Sequence, residues 1–262
     1  MMGLLRSELR KLTTGRTILV LTVVGLGLVA VSASFGLFAT DLVGPFTGSE
    51  RQVAEAIGSL GGNTVIVLIV GILSVTTEFR HGTIGRTLQL EPSRTRVLSA
   101  KLIAAVGFAV GFTALALVVV AVLVAVAASG AGVSPEWGPE ATRALWQAPV
   151  GFALNAMLGV AVGALLRSQV IAISVTLVWL FVVESLVVFL LPTIGRFLPF
   201  QALAALFADA TADLVIDGGG GGGGGMGFGV ELLDPGVGLV VFLGYVTVAC
   251  VAAGVHLTRG DV

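Results

Sequence analysis

The chain has 262 residues, of which 56% are hydrophobic and 11% are charged, and its formal net charge is −1. A soluble domain carries about 25% charged residues, so this composition argues against a soluble globular protein. The net charge by itself indicates no partner, and we expect no nucleic acid.

Six stretches are long and apolar enough to cross a bilayer, which takes about 20 residues of helix. Unpaired backbone groups cannot face lipid, and the alternation typical of a membrane barrel is absent, so each stretch should be a helix. We therefore predict an all-α membrane protein with one transmembrane domain, residues 1–262. The predicted spans are Thr17–Ala39, Leu60–Thr77, Lys101–Ala128, Pro149–Leu166, Val170–Leu191 and Gly236–Leu257.

The first 16 residues place four leucines on one helical face and most of their basic residues on the other. This pattern predicts a short helix in the membrane interface, in contact with anionic lipid. The alternative is that these residues simply begin span 1. The apolar stretch that follows is longer than the core of a signal peptide, so we expect a retained anchor. The leucines are Leu4, Leu5, Leu9 and Leu12.

The segment before span 2, "TGSERQVAEAIGSL", predicts a short helix. Ser49 and Gln52 have the spacing of a capping box, and Val53, Ile57 and Leu60 share one face.

Charge is concentrated between spans 2 and 3, in the stretch "TTEFRHGTIGRTLQLEPSRTR" from Thr76 to Arg96. The sequence on both sides is almost entirely apolar. Two interpretations are open: a contact surface for a partner, or the polar connector expected of any loop. The charged residues here are Glu78, Arg80, Arg86, Glu91, Arg94, Arg96 and Lys101.

Small and polar residues recur every four positions along span 4 and so form one helical face. Such a face lets another helix approach closely, either within the chain or in a second copy. Span 3 has a shorter version of the pattern. The residues are Gly151, Asn155, Gly159, Gly163 and Arg167 in span 4, and Gly107 and Gly111 in span 3.

Glu184 is an ionisable residue deep within span 5. Intramembrane carboxylates are costly and often functional, so we assign Glu184 and Asn155 to a substrate path. A structural hydrogen bond is the alternative. We expect Glu184→Gln to change transport more than folding.

The segment after span 5 contains two prolines and then a helical pattern, which predicts a short outer helix. Asp209, Asp213 and Asp217 would share its polar face. The run of eight glycines that follows lacks the lysine and hydroxyl residue of a phosphate-binding loop, so we interpret it as a flexible linker.

The distribution of basic residues predicts the orientation, because Lys and Arg collect in cytoplasmic loops. With the N-terminus inside, eleven of the 14 lie on the inner side. The prediction is therefore a plasma-membrane protein with both termini cytoplasmic. The three outer residues are Arg51, Arg143 and Arg196.

The sequence has no motif of a zinc protease, a serine hydrolase or a nucleotide-binding loop. We therefore expect no enzymatic activity and no cofactor in this chain. Uphill transport would need an ion gradient or a second subunit.

The loop after span 2 resembles the first cytoplasmic loop of ABC transporter permeases of the type-2 exporter superfamily. There an acid, an aromatic residue and an arginine precede Gly-Thr, and Pro-Ser-Arg follows. The stretches "GVAVGALLRSQVIAISVTLVW" and "LPTIGRFLPF" are similar to the same family. The matching loop residues are Glu78, Phe79, Arg80, Gly82, Thr83, Pro92, Ser93 and Arg94.

This resemblance implies a permease subunit of an ATP-driven exporter in a bacterial plasma membrane, with a cytoplasmic coupling helix between spans 2 and 3 that docks on the ATPase. It also implies an N-terminal interfacial helix, re-entrant outer helices after span 5, a second permease subunit, and two ATPase subunits that bind ATP and Mg. Two alternatives remain: an ion-coupled secondary transporter, which usually has more intramembrane charge and an internal repeat, and a non-transporting scaffold.

Overall fold

The computed structural model describes residues 2–38, 45–83, 93–208 and 232–259. These residues are almost all helical, and none of them lies in a strand. Six helices are long and apolar enough to span a membrane, which indicates a multi-pass membrane protein and confirms the six predicted spans. They are span 1 (Arg16–Phe38), span 2 (Thr64–Arg80), span 3 (Arg94–Ala131), span 4 (Pro139–Leu166), span 5 (Gln169–Leu190) and span 6 (Pro235–Arg259).

Span 3 is longer than the sequence predicted. Residues 94–100, which we assigned to the coupling loop, form its first turns. Hydropathy marks where the apolar stretch begins, whereas Arg, Leu, Ala and Lys continue a helix readily on either side of that boundary. The helix has 38 residues and is about 57 Å long at 1.5 Å per residue. Within the predicted coupling loop, residues 78–100, the part from 84 to 92 lies outside the described residues.

Two short helices precede spans 1 and 2. The N-terminal helix, Met2–Thr14, is separate from span 1. The predicted helix before span 2 is Glu50–Gly58, and it continues through a 3₁₀ turn, Ser59–Asn63, into span 2. The predicted capping box is wrong, because the Ser49 side chain makes no capping hydrogen bond. The Gln52 side-chain oxygen instead accepts from the Thr47 backbone N–H at 2.8 Å.

Two further short helices follow span 5, Pro192–Gly195 and Pro199–Phe207. Each has proline in its first turn, where the missing N–H costs nothing. The helix Pro199–Phe207 is largely buried, and we call it the inserted helix. The predicted acidic face with Asp209, Asp213 and Asp217, and the glycine run, lie outside the described residues.

The small residues of span 4 pack against span 2 within the chain. A side chain on Gly159 would overlap the carbonyl oxygen of Leu68, and one on Gly163 would lie 2.9 Å from the carbonyl oxygen of Ile72. This confirms the intramolecular interpretation for these two glycines. Gly111 of span 3 is different, because nothing lies within 4 Å of a Cβ placed there.

Candidate functional site

Polar side chains join spans 2 to 6 and the N-terminal helix at one end of the bundle, which we call the basic end. It contains the first residues of spans 1, 3 and 5 and the last residues of spans 2, 4 and 6. The sequence motif Glu78-Phe79-Arg80 closes span 2 at the centre of this end. Its three side chains contact three different parts of the protein.

Glu78 belongs to a group of four charged side chains, which we call the ion cluster: Glu8, Lys11, Glu78 and Lys101. Oε1 of Glu78 accepts from Nζ of Lys101 and Nζ of Lys11, both at 2.8 Å. Glu8 binds the same two lysines, Lys11 at 2.6 Å and Lys101 at 2.8 Å. Nζ of Lys101 also donates to the backbone oxygen of Ser74 at 3.1 Å. The cluster therefore joins the N-terminal helix to spans 2 and 3.

The ion cluster is buried except on one side. The side chain of Lys101 is 2% exposed and that of Glu78 is 8% exposed, whereas that of Lys11 is 51% exposed. Two ammonium groups balance two carboxylates, as buried charges require. Burial alone would raise the pKa of Glu8, but the ammonium groups of Lys101 and Lys11 outweigh it, so the pKa lies below its usual value.

Lys11 shows the complementary behaviour. Burial alone would lower its pKa, but its hydrogen bonds and attraction to Glu78 and Glu8 prevail, so the pKa is raised. Both residues are thus held in their charged forms by the cluster. One oxygen, Oε2 of Glu78, is buried without a hydrogen-bond partner among the described residues.

Phe79 and Arg80 face other spans. The ring of Phe79 lies under the guanidinium of Arg167, 5.8 Å from it, at the end of span 4. Arg80 is exposed and donates to the side-chain oxygen of Gln169, the first residue of span 5, at 3.3 Å. Consecutive residues of the motif therefore fix span 2 to the N-terminal helix and span 3, to span 4, and to span 5.

Gly82 and Thr83 end span 2. Gly82 has a positive φ of 65°. Its N–H donates to the oxygen of Phe79 at 3.3 Å, and that of Thr83 donates to the oxygen of Glu78 at 3.0 Å. These are the two bonds of a Schellman motif, which needs a left-handed residue at this position. Span 2 therefore ends in a sharp turn at Gly82.

Two arginines hold the end of span 6. Arg94 donates to the backbone oxygen of Leu257 at 2.6 Å, and Arg167 donates to that of His256 at 3.3 Å. The last carbonyl groups of a helix lack partners within it and carry its negative dipole end, so cations are favourable there. Ser93 precedes span 3 without a side-chain capping bond, and Pro92 lies outside the described residues.

The two residues assigned to a substrate path are both fully buried, at 0% exposure. Asn155 donates to the backbone oxygen of Thr64 at 3.1 Å, at the start of span 2. Glu184 follows a π-helical segment, Trp179–Val183, that interrupts span 5. Their part in transport stays a prediction.

Glu184 joins span 5 to the inserted helix. Its Oε1 accepts from Nε1 of Trp179 and from the backbone N–H of Phe200, both at 3.0 Å. Phe200 lies in the first turn of the inserted helix, where backbone N–H groups have no intrahelical partner. The Glu184 carboxylate therefore caps the N-terminus of the inserted helix, although it lies 16 residues before Phe200 in the sequence.

Sequence reasoning missed Glu8 and Lys11 as partners of Glu78. One signal was present: Glu8 is the first acidic residue of the chain, with the next at Asp41, and Arg6, Arg10 and Lys11 stand close to it in sequence. This placement favours an ion pair. No protein-family model matches the chain, and no curated protein matches it.

Proposed function

We propose that this chain is the membrane-spanning permease subunit of an ATP-driven ABC exporter, coupled to a separate cytoplasmic ATPase. The observation that carries the proposal is the position of Glu78-Phe79-Arg80. This motif brought the family resemblance, and its side chains contact the N-terminal helix and spans 3, 4 and 5.

The contacts divide the motif into two roles. Glu78 and Phe79 face inward, so they act as positioning residues that tie the loop to the N-terminal helix and spans 3 and 4. Arg80, His81 and Thr83 are exposed and are the contact residues for the ATPase. Glu78, which the resemblance placed among the coupling residues, transmits a movement rather than receiving it.

The flanking contacts extend this path to the rest of the bundle. A force applied at Thr83 would act on the end of span 2, and a force applied at Ser93 would act on the start of span 3. Arg94 then carries it to span 6 through the oxygen of Leu257. Such a continuous series of contacts from the loop to the spans suits a subunit that converts closure of an ATPase dimer into rearrangement of its spans.

The complete transporter would contain two ATPase subunits, which bind ATP and Mg, and a second permease subunit of the same or a similar sequence. The basic end would face the cytoplasm of a bacterium, with both termini inside. The N-terminal helix would lie in the inner interface, and the inserted helix would dip into the outer leaflet from the opposite side.

Affinity purification of the full chain from its native membranes tests the proposal. We expect an ABC ATPase to copurify and to hydrolyse ATP in the complex. Arg80→Ala should reduce its recovery without changing the amount of permease in the membrane. Arg143→Ala is the matched control, because Arg143 is exposed at the other end of the bundle. Absence of any ATPase from the parent complex would refute the proposal.

A further inference from the structure

A cavity of about 560 Å³ opens at the basic end. The N-terminal helix, the start of span 1, the end of span 2 and the start of span 5 enclose it. Its volume lies within the range of small-ligand pockets, about 300–1,000 Å³. Leu12, Ile18 and Leu73 supply apolar lining, and the polar lining includes Lys11, Arg16, Thr17, Arg80, His81 and Gln169.

The cavity carries an excess of positive charge. Glu8 and Glu78 also line it, but the ion cluster balances them with Lys11 and Lys101. Arg16 and Arg80 remain. The hydrogen-bond partner of Arg80 is the neutral amide of Gln169, and Arg16 has no ion-pair or hydrogen-bond partner among the described residues.

The helix ends at the cavity do not decide which charge it prefers. Residues 15–18 lie at the N-terminal turn of span 1, where the helix dipole is positive. The last turns of the N-terminal helix and of span 2 also line the cavity, and the dipole is negative at those two ends. The preference for an anion therefore rests on the two guanidinium groups, and an anion would pair with that of Arg16, which has no partner among the described residues.

The walls of the cavity continue into apolar surface. In an 18-residue apolar stretch of span 1, 17% of the residues are buried, and in one of span 5, 22% are buried. Most apolar side chains of both spans are therefore at least partly exposed. Close to the cavity, Val20 is 62% exposed and Val170 is 74% exposed. A soluble anion would leave this apolar surface uncovered, whereas the acyl chains of a phospholipid would cover it. The arrangement fits an amphiphile with an anionic headgroup.

We propose that this cavity is a binding site for an anionic phospholipid. Arg16 and Arg80 hold the phosphate, the cavity encloses the headgroup, and the acyl chains lie along spans 1 and 5. The guanidinium of Arg80 has five N–H donors, so it can bind the phosphate with some of them and the ATPase with others. This proposal goes beyond the transport function and does not rest on it, since a membrane protein of any function could use such a site to fix its N-terminal helix.

Native mass spectrometry of the full chain in a neutral detergent, titrated with phosphatidylglycerol, tests the site. We expect one lipid to be retained per chain, and Arg16→Gln with Arg80→Gln to weaken its binding at least tenfold. The matched control is Arg6→Gln with Arg10→Gln, which removes the same charge from exposed positions outside the cavity lining. The control should change binding less than threefold.

Four outcomes would overturn the proposal. If both double variants lose the lipid equally, the membrane surface attracts the whole basic end and no particular site exists. If neither loses it, the arginines do not hold the phosphate. Glycerol 3-phosphate and phosphatidylcholine are titrated in parallel arms. Equal binding of glycerol 3-phosphate would show a site for a soluble phosphate, and equal binding of phosphatidylcholine would show no preference for net negative charge.

Discussion

Nζ of Lys101 lies 2.8 Å from Oε1 of Glu78, and neither side chain is more than 8% exposed. A buried pair of this kind is not a large source of stability, because desolvation offsets most of the attraction. Its loss is costly nonetheless, since the remaining charge is left without a partner.

Lys101→Met should therefore lower the free energy of unfolding by about 3–5 kcal/mol, because two carboxylates would then share the single ammonium of Lys11. Thermal unfolding of the purified protein in detergent measures this. Adding Glu78→Gln restores the charge balance and should recover part of the loss. Arg6→Gln, exposed on the N-terminal helix, should change stability by less than about 0.5 kcal/mol. A Lys101→Met protein as stable as the parent would show that the cluster does not matter.

The pKa shifts of Glu8 and Lys11 predict how stability depends on pH. The pKa of Glu8 is lowered in the folded protein, so its contribution is present above the unfolded value, about 4.3, and is lost as pH falls through the lowered value. The pKa of Lys11 is raised, so its contribution is present below about 10.4 and is lost as pH rises through the raised value. Unfolding temperatures of Glu8→Gln and the parent should differ least at acid pH. A constant difference at every pH would contradict this.

Gly159 is required by the close contact of spans 2 and 4. Gly159→Ala should destabilise the protein by about 1–3 kcal/mol, because the added methyl group overlaps the backbone of Leu68 and cannot move aside. Gly111→Ala is the matched control, because it adds the same methyl group at a position of span 3 where no atom lies within 4 Å of the added carbon. Thermal unfolding of both variants is the measurement, and an equal effect of the two substitutions would argue against close packing at Gly159.

Two substitutions at Glu184 test whether its carboxylate serves only as a hydrogen-bond acceptor or whether its charge is needed for transport. The side-chain oxygen of glutamine can accept the bonds from Trp179 and Phe200, so Glu184→Gln should keep the parent's stability, whereas Glu184→Leu should lose about 1–3 kcal/mol. A transport assay on the Gln variant then isolates the charge. Reduced transport at parental stability would support the predicted role in the substrate path. Full transport would leave Glu184 as the cap of the inserted helix.

Orientation can be tested with single cysteines after replacing Cys250 by alanine. Thr83 and Ser134 are both exposed and lie at opposite ends of the bundle. With the basic end inside, an impermeant maleimide should label Ser134→Cys in intact cells and label Thr83→Cys only after lysis. The reverse pattern would invert the topology and with it the proposed position of the ATPase.

The number and approximate place of the spans could be predicted because hydropathy over about 20 residues is a local property. The packing of Gly159 was also readable, since its four-residue spacing lies within one helix. The ion cluster was not, because Glu78 is separated from Lys11 by 67 residues and from Lys101 by 23. Spacing along the chain does not tell which charges turn inward. The start of span 3 was missed because charged residues there continue a helix as readily as apolar ones.

The separation of Glu8 from Lys101 also has a consequence for how the protein is made. The lysine is synthesised 93 residues after its carboxylate partner, an interval of roughly 5–20 s on the ribosome. During that interval the N-terminal helix has no buried cation to bind. This ion pair can form only after Lys101, near the start of span 3, has been synthesised. The N-terminal helix is therefore fixed in place only after spans 1 and 2 have been made, a step that a truncation before Lys101 would prevent.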